Sequence, residues 1–157
     1  MNKNYSKKEL HLVIIWEKGR CKEREIVKSI SEEFEFVEKY KVNWNKNLFG
    51  KNLTTFYGTN LPPKSDKEKH CGNGEFLLII FYDNDPKYGY VKTSRGPERV
   101  NLNIFSCKEK FRYLTGGGHK IHSTNTPLET NHDLTLFLGI NYNDYELSIK
   151  KKLNNNK

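Results

Sequence analysis

The sequence predicts an α+β domain built on a four-stranded sheet with helices packed on one of its faces. Three observations predict it. First, His11-Leu12-Val13-Ile14-Ile15-Trp16 and Phe76-Leu77-Leu78-Ile79-Ile80-Phe81-Tyr82 are short, nearly continuous apolar runs, the pattern of buried central strands. Second, stretches with apolar residues at helical spacing alternate with the strand signals. Third, a glycine triplet, Gly116-Gly117-Gly118, leads into a short segment and then a strongly marked helix start.

The elements follow in order. His11–Trp16 is the first strand. Between Lys22 and Phe34, residues Ile26, Val27, Ile30 and Phe34 share one helical face. From Phe36 to Trp44, Phe36, Glu38, Tyr40, Val42 and Trp44 alternate with Val37, Lys39, Lys41 and Asn43, which predicts a second strand. Asn45 can cap a helix that bears Phe49, Leu53, Phe56 and Tyr57 and stops at Gly58. Leu61 to Gly74, rich in Pro, Lys and Gly, reads as a loop. Phe76–Tyr82 is the strongest strand signal, broken by Asp83-Asn84-Asp85-Pro86. Tyr88 to Thr93 reads as either a further strand or an extended loop, and Lys92, Arg95 and Arg99 surround Gly96-Pro97. A helix from Asn103 to Leu114 carries the stripe Ile104, Cys107, Phe111 and Leu114. A strand at His119–Ser123 follows. In the last helix Thr126 is the N-cap, Pro127 takes the first position and Glu129 sits where a capping box needs it. Gly139 ends it.

Composition narrows the function classes. At 157 residues the chain is one domain, 1–149, and residues 150–157 read as a basic, frayed tail. Lys150, Lys151, Lys152 and Lys157 supply four of the eight net positive charges, and the remaining four suit an anionic ligand. An aromatic content of 13% argues for a real core. No apolar run reaches membrane-spanning length, so no membrane partner is expected. Met1–Lys8 is not followed by a signal-type apolar core, and Cys21, Cys71 and Cys107 are scattered and odd in number; reduced thiols and a cytoplasmic location are expected. The basic residues form no stripe interleaved with exposed aromatics, so nucleic acid is not the expected partner.

The residues with candidate chemistry cluster near the glycine triplet. His122 stands just before a helix N-terminus, where backbone N–H groups and the dipole favour a phosphate. A neutral imidazole there can attack a terminal phosphoryl group if an acceptor orients its other nitrogen. Glu129 and Asp133 on the following helix are both candidates for that acceptor. Lys92, Arg95, Arg99 and Arg112 are candidates to clamp phosphate, with a solvated basic face as the plainer alternative. Tyr57 can offer its hydroxyl or simply end a helix as a core aromatic. His119, His122, His132, His70 and Cys107 are ligand types, but residues three apart on a strand face opposite sides, so no metal site is expected. By the same rule His119 should face away from His122.

The segment His119-Lys120-Ile121-His122-Ser123-Thr124-Asn125-Thr126-Pro127-Leu128-Glu129 and the helix after it resemble the active-site end of nucleoside diphosphate kinases. That family has Asn-x-x-His-Gly-Ser-Asp-Ser before a helix with an early glutamate. Here His122 matches the histidine, Ser123-Thr124-Asn125-Thr126 replaces Gly-Ser-Asp-Ser, and His119 stands at the asparagine. His70-Cys71-Gly72-Asn73-Gly74 before the third strand resembles the family's His-Ser-Gly-Pro, and Phe56-Tyr57 falls where the family ends a helix in tyrosine. The resemblance covers roughly His11 to Gly139, mostly as element order.

The resemblance implies a ferredoxin-like four-stranded antiparallel sheet with helices packed on it. It implies phosphoryl transfer from ATP or another nucleoside triphosphate, with Mg2+, through a phosphohistidine at His122. Asp133, eleven positions later, falls at the spacing of the family's orienting carboxylate. Nucleotide contacts are then expected from Tyr57, Lys92, Arg95, Arg99, Arg112 and His119, and assembly as a homo-oligomer is expected as well. Three departures stand out. Trp16 occupies the place of the family's phosphate-contacting lysine, with only Lys18 and Arg20 nearby. Cys107-Lys108-Glu109-Lys110-Phe111-Arg112 replaces the family's Gly-Thr-Ile-Arg-Gly-Asp-Phe, and no aromatic lies between Leu61 and Lys69 to stack a base. Two functions therefore compete: a phosphotransferase, and a non-catalytic nucleotide- or phosphate-binding module of the same fold.

Overall fold

The computed structural model describes residues 7–58 and 66–156. Strand β1 (Glu9–Ile15) leads through a 3-10 segment (Glu17–Lys22) into helix α1 (Glu23–Glu33) and strand β2 (Glu35–Val42). A 3-10 turn (Lys46–Leu48), helix α2 (Phe49–Tyr57) and a short helix α3 (Asp66–Cys71) precede strand β3 (Phe76–Asp83). Strands β4 (Tyr88–Thr93) and β5 (Gly96–Asn101) form a hairpin. Helix α4 (Leu102–Leu114), strand β6 (Ile121–Ser123), helix α5 (Pro127–Leu138) and helix α6 (Tyr142–Asn155) complete the chain.

The main sheet has the order β2-β3-β1-β6 and is antiparallel throughout; β4 and β5 make a separate two-stranded sheet. Val13 pairs with Ile79 on one side and Ser123 on the other, so the three apolar runs of the sequence are neighbours. Alternate residues of β1 and β3 enter two separate cores. Leu12, Ile14, Trp16, Leu78 and Ile80 pack with α2, α5 and α6 through Phe49, Leu53, Leu134 and Tyr145. Val13, Ile15, Leu77, Ile79 and Phe81 pack with α1 and α4 through Ile26, Ile30, Ile104 and Phe111. Helices thus cover both faces, not one as expected. Strands without polar alternation must bury both sides, and one helical layer cannot do that.

Other differences have local causes. The register of β2 against β3 shifts between Phe36 and Glu38. This bulge reverses the alternation: Val37 packs on the core and Phe36 is left exposed. Part of the expected 61–74 loop is helix α3; residues 61–65 of it lie outside the described residues. Residues 150–155, expected as frayed tail, continue α6 as exposed helix, which Asn141 caps by accepting from the Asp144 N–H. The remaining caps match: Gly58 and Gly139 take left-handed φ values of 67° and 66°, and Thr126 accepts from the Glu129 N–H. The Glu129 carboxylate closes the capping box on the N–H of Asn125 rather than Thr126.

A buried polar network fastens the hairpin to the sheet. His11 is fully buried, with Nδ1 2.9 Å from the Thr124 hydroxyl and Nε2 3.1 Å from the Glu9 carboxylate. Asn101 donates to Glu9 (3.1 Å) and Asp83 (2.9 Å), and its Oδ1 accepts from Asn103 and Ile104 to cap α4. Tyr88 of β4 donates to Glu9 at 2.7 Å. Burial opposes ionisation of Glu9, but hydrogen bonds involving His11, Tyr88 and Asn101 outweigh it and hold its carboxyl below the ordinary value. Thr124, His11 and Glu9 align as hydroxyl, imidazole and carboxylate, yet Thr124 is fully buried, so the set is a clamp and not a nucleophile. Replacing Asn101 with Ala removes the cap and leaves Asp83 under-satisfied; the expected loss is about 3 kcal/mol in urea unfolding, and a loss under about 1 kcal/mol would show that the network is not a structural fastener.

Candidate functional site

His122 lies on β6, an edge strand opposite Ile14 of β1. Three successive glycines with positive φ, Gly116 (87°), Gly117 (84°) and Gly118 (77°), turn the chain from α4 back toward it. Ile121 enters the core shared with α1 and α4. Strand alternation therefore turns His122 toward α2 and α5. Its ring meets Phe56 edge-on at 4.8 Å and Tyr57 at 5.9 Å. Its Nε2 is 2.9 Å from Oδ2 of Asp133, which α5 holds nearly buried at 5% side-chain exposure, while His122 keeps 18%. A carboxylate accepts, so Nε2 carries the proton and Nδ1 the lone pair. Among the described residues no hydrogen bond engages that Nδ1, and the ring borders an open cleft. The second oxygen of Asp133 pairs with Nδ1 of His132 at 2.9 Å.

The cleft, about 470 Å³, runs along the β6 edge between α2 and α3 on one side and α4 and the hairpin on the other. Lys92 and Arg95 line it from the hairpin, Arg112 from α4 and Tyr57 from α2. Arg112 donates through Nε to the carbonyl of Ile121 at 3.3 Å and so covers part of the strand edge. Burial pushes the Tyr57 phenol up, and the Cys71 thiol adds to this, so its O–H stays available as a donor. Burial likewise pushes the Cys71 thiol up to about 12, keeping it neutral. His119 lies in a turn before β6 rather than in a strand. It borders the same cleft as His122 instead of facing away, its ring stacked on His70 at 5.3 Å. Arg99 does not line the cleft; its guanidinium sits over the Tyr88 ring at 4.5 Å, across the hairpin. Cys107 belongs to the core on the other face of the sheet, so it cannot join the histidines.

Two lysines reach the cleft that no sequence signal had singled out as its walls. Lys67 of α3 lies over the Tyr57 ring at 4.0 Å; burial, then repulsion from Arg112 and Arg95, hold its ammonium below the ordinary value. Lys108 of α4 is only 9% exposed and donates to Oδ1 of Asn125 at 3.1 Å. Burial, reinforced by Arg112, depresses it to about 8 against the pull of Glu129, Glu109 and Glu98. Lys108 and Arg112 are four apart, one helical turn, and that spacing was the available clue.

No protein-family model and no curated protein sequence matches the chain. Its fold does match solved structures. A nucleoside diphosphate kinase from Encephalitozoon cuniculi superposes with a TM-score of 0.53 at 12% identity, over 84% of this chain and 90% of that one. The enzyme from Aquifex aeolicus gives 0.54 at 11% identity, over 84% and 96%. The chain has the nucleoside diphosphate kinase fold. At these identities the likeness speaks for the fold alone.

Within that fold Trp16 is completely buried, its ring 4.7 Å from Phe76 and 6.0 Å from each of Trp44, Phe49 and Phe56. Among the described residues its indole N–H makes no hydrogen bond of good geometry, although it is near enough to ease ionisation of Tyr57. Lys18 and Arg20 do not replace the missing lysine: Lys18 donates to the Lys69 carbonyl, and Arg20 pairs with Glu75 at 2.7 Å. Trp16→Lys should therefore destabilise the chain by about 4 kcal/mol or more, because an ammonium replaces a ring inside an aromatic core. Thermal and urea unfolding measure this; a variant that melts within a degree or two of the parent would mean that the position opens to the cleft.

Proposed function

We propose that the chain is a phosphotransferase that carries a nucleotide γ-phosphoryl group on Nδ1 of His122. The observation that carries this reading is the environment of one imidazole: Nε2 held by Asp133, and Nδ1 without a hydrogen-bond partner among the described residues, beside a cationic cleft. In the first step the Nδ1 lone pair forms the N–P bond. The bond from phosphorus to the β–γ bridging oxygen breaks, and its electron pair leaves on the nucleoside diphosphate. The imidazolium so formed keeps its Nε2 proton toward Asp133, whose negative charge offsets it. In the second step a diphosphate oxygen attacks the phosphorus and restores the neutral ring. Arg95, Lys92 and Arg112 would neutralise charge on the transferred group, and the Tyr57 hydroxyl would donate to it. Mg2+ enters as part of the nucleoside triphosphate substrate; among the described residues no three metal-ligating side chains converge to hold one.

A second reading is favoured by one observation, the burial of Trp16 where the family places a lysine. On that reading the cleft binds a phosphate-bearing ligand without transfer. Incubation with γ-labelled ATP or GTP separates the two. The transferase reading expects an acid-labile, base-stable phosphoprotein. His122→Ala should then abolish the label with little loss of stability, since the ring lies at the cleft and not in the core. Asp133→Asn should slow labelling by roughly 10²-fold without abolishing it, because an orienting carboxylate does not itself attack. Label that survives in His122→Ala and disappears in His119→Ala would assign the wrong histidine. Unlabelled parent protein that still binds nucleotide would select the binding module.

A further inference from the structure

We propose that Lys108, Arg112 and Asn125 form a phosphate subsite in the cleft, supplying from α4 the positive charge that β1 lacks. The inference rests on the assignment of this cleft to a phosphate-bearing ligand, but not on phosphoryl transfer.

Lys108 is the anomaly that points to it. Its side chain is more than nine-tenths buried, yet no carboxylate lies within ion-pair distance among the described residues. Its one hydrogen bond among the described residues goes to a neutral amide oxygen, Asn125 Oδ1 at 3.1 Å. Its Nζ also lies 4.8 Å from the centroid of the Phe105 ring, which fixes the head group without neutralising it. An ammonium has three donors, so two remain without an acceptor among the described residues. A buried charge in that condition is costly, and a methionine of similar length would cost less. Among the described residues no hydrogen bond engages the Nδ2 of the same amide, whose oxygen is taken by Lys108. Arg112, one helical turn along α4, uses only Nε on the Ile121 carbonyl. Its two terminal nitrogens engage no acceptor among the described residues. All three side chains line the cleft that His122 borders. Asn125 also sits beside the N-terminus of α5, a helix of twelve residues. Donors from three side chains, with their carriers fixed by packing, match the several oxygens of a phosphate group better than a lone carboxylate.

The groups around Lys108 set the sign of its pH dependence. Arg112 of α4 lowers its proton affinity, while Glu109 of α4, Glu98 of β5 and Glu129 of α5 raise it. Lys67, Lys92, Arg95, His119 and His122 share the cleft. Burial dominates and leaves the ammonium near pH 8, well below the ordinary lysine value. Without a bound anion Lys108 thus loses its proton above about pH 8, whereas a bound anion holds that proton in place; affinity should fall as pH rises through this point.

Titration calorimetry with inorganic pyrophosphate and with ADP tests the subsite. Lys108→Met should weaken both at least about tenfold, by the same factor, without lowering the melting temperature. Lys87→Met, an exposed lysine paired with Asp85 outside the cleft, should change neither. Arg112→Gln should act in the same direction and stands in if Lys108→Met does not fold. Sulfate, whose charge is constant in the alkaline range, should bind the parent more weakly as pH passes about 8, a step that Lys108→Met lacks. Pyrophosphate affinity within about twofold of the parent in either cleft variant overturns the proposal, as does weakening confined to ADP. Phosphohistidine labelling is scored separately: no label with an intact pyrophosphate response retires the transfer reading and leaves the subsite standing.

Discussion

Strand β1 pairs with β3 along one side and β6 along the other while burying alternate side chains in two different cores. That double demand organises the molecule. Two helical layers are needed to cover the sheet, so α1 and α4 take one face and α2, α5 and α6 the other. Because β1 is central, Trp16, the residue that follows it, lands in the middle of an aromatic cluster and not in a cleft. Its first residues, Glu9 and His11, meet the hairpin and the Thr124 turn in a shared polar network. The strand thus fixes both the wall of the cleft and the anchor of the hairpin that overhangs it.

The cleft inherits its electrostatics from that arrangement. A lysine at position 16 would have to leave the core to meet a ligand, and the surrounding rings leave it no path. Positive charge instead comes from peripheral elements: α3, α4 and the hairpin. These charges differ in kind. Arg95 and Lys92 are exposed at or near the hairpin tip, where water screens them. Lys108 is desolvated and fixed, so an anion that reaches it gains far more from the same unit of charge. The histidine is likewise fixed from behind, by a carboxylate that is itself shared with His132.

The nearly continuous apolar strands, the caps at Thr126, Gly58 and Gly139, and the amphipathic helices were legible in sequence because each depends on neighbours within a few residues. The edge strand β2 misled at its start, since a one-residue bulge puts Phe36 out of phase with Tyr40 and Val42, which pack on the core as their alternation predicts, and leaves no mark in composition. Strand β5 hid behind Gly96-Pro97, with charged Glu98 and Arg99 suited to an exposed hairpin but not to a core strand. Helix α6 hid in lysine-rich composition. Tyr142, Tyr145 and Ile149 on its inner side reach the core, while its last residues are exposed and Lys152 among them pairs with Glu38 of β2 at 3.9 Å.

The site divides along the same line. Sequence alone determined that His122 precedes a capped helix, that a carboxylate follows on that helix, and that basic residues are available. These are statements about local order, and local order is written in adjacent residues. Tertiary structure decided between Glu129 and Asp133 as the partner of His122, by giving the first to the Asn125 N–H and the second to Nε2. It also decided that Arg99 turns away to Tyr88, that His119 shares the cleft, and that Lys108 is buried with its hydrogen bond to the Asn125 amide oxygen and, among the described residues, no carboxylate at ion-pair distance. Such facts depend on which distant elements the sheet brings within a few ångströms of one another, and no spacing along the chain encodes that distance.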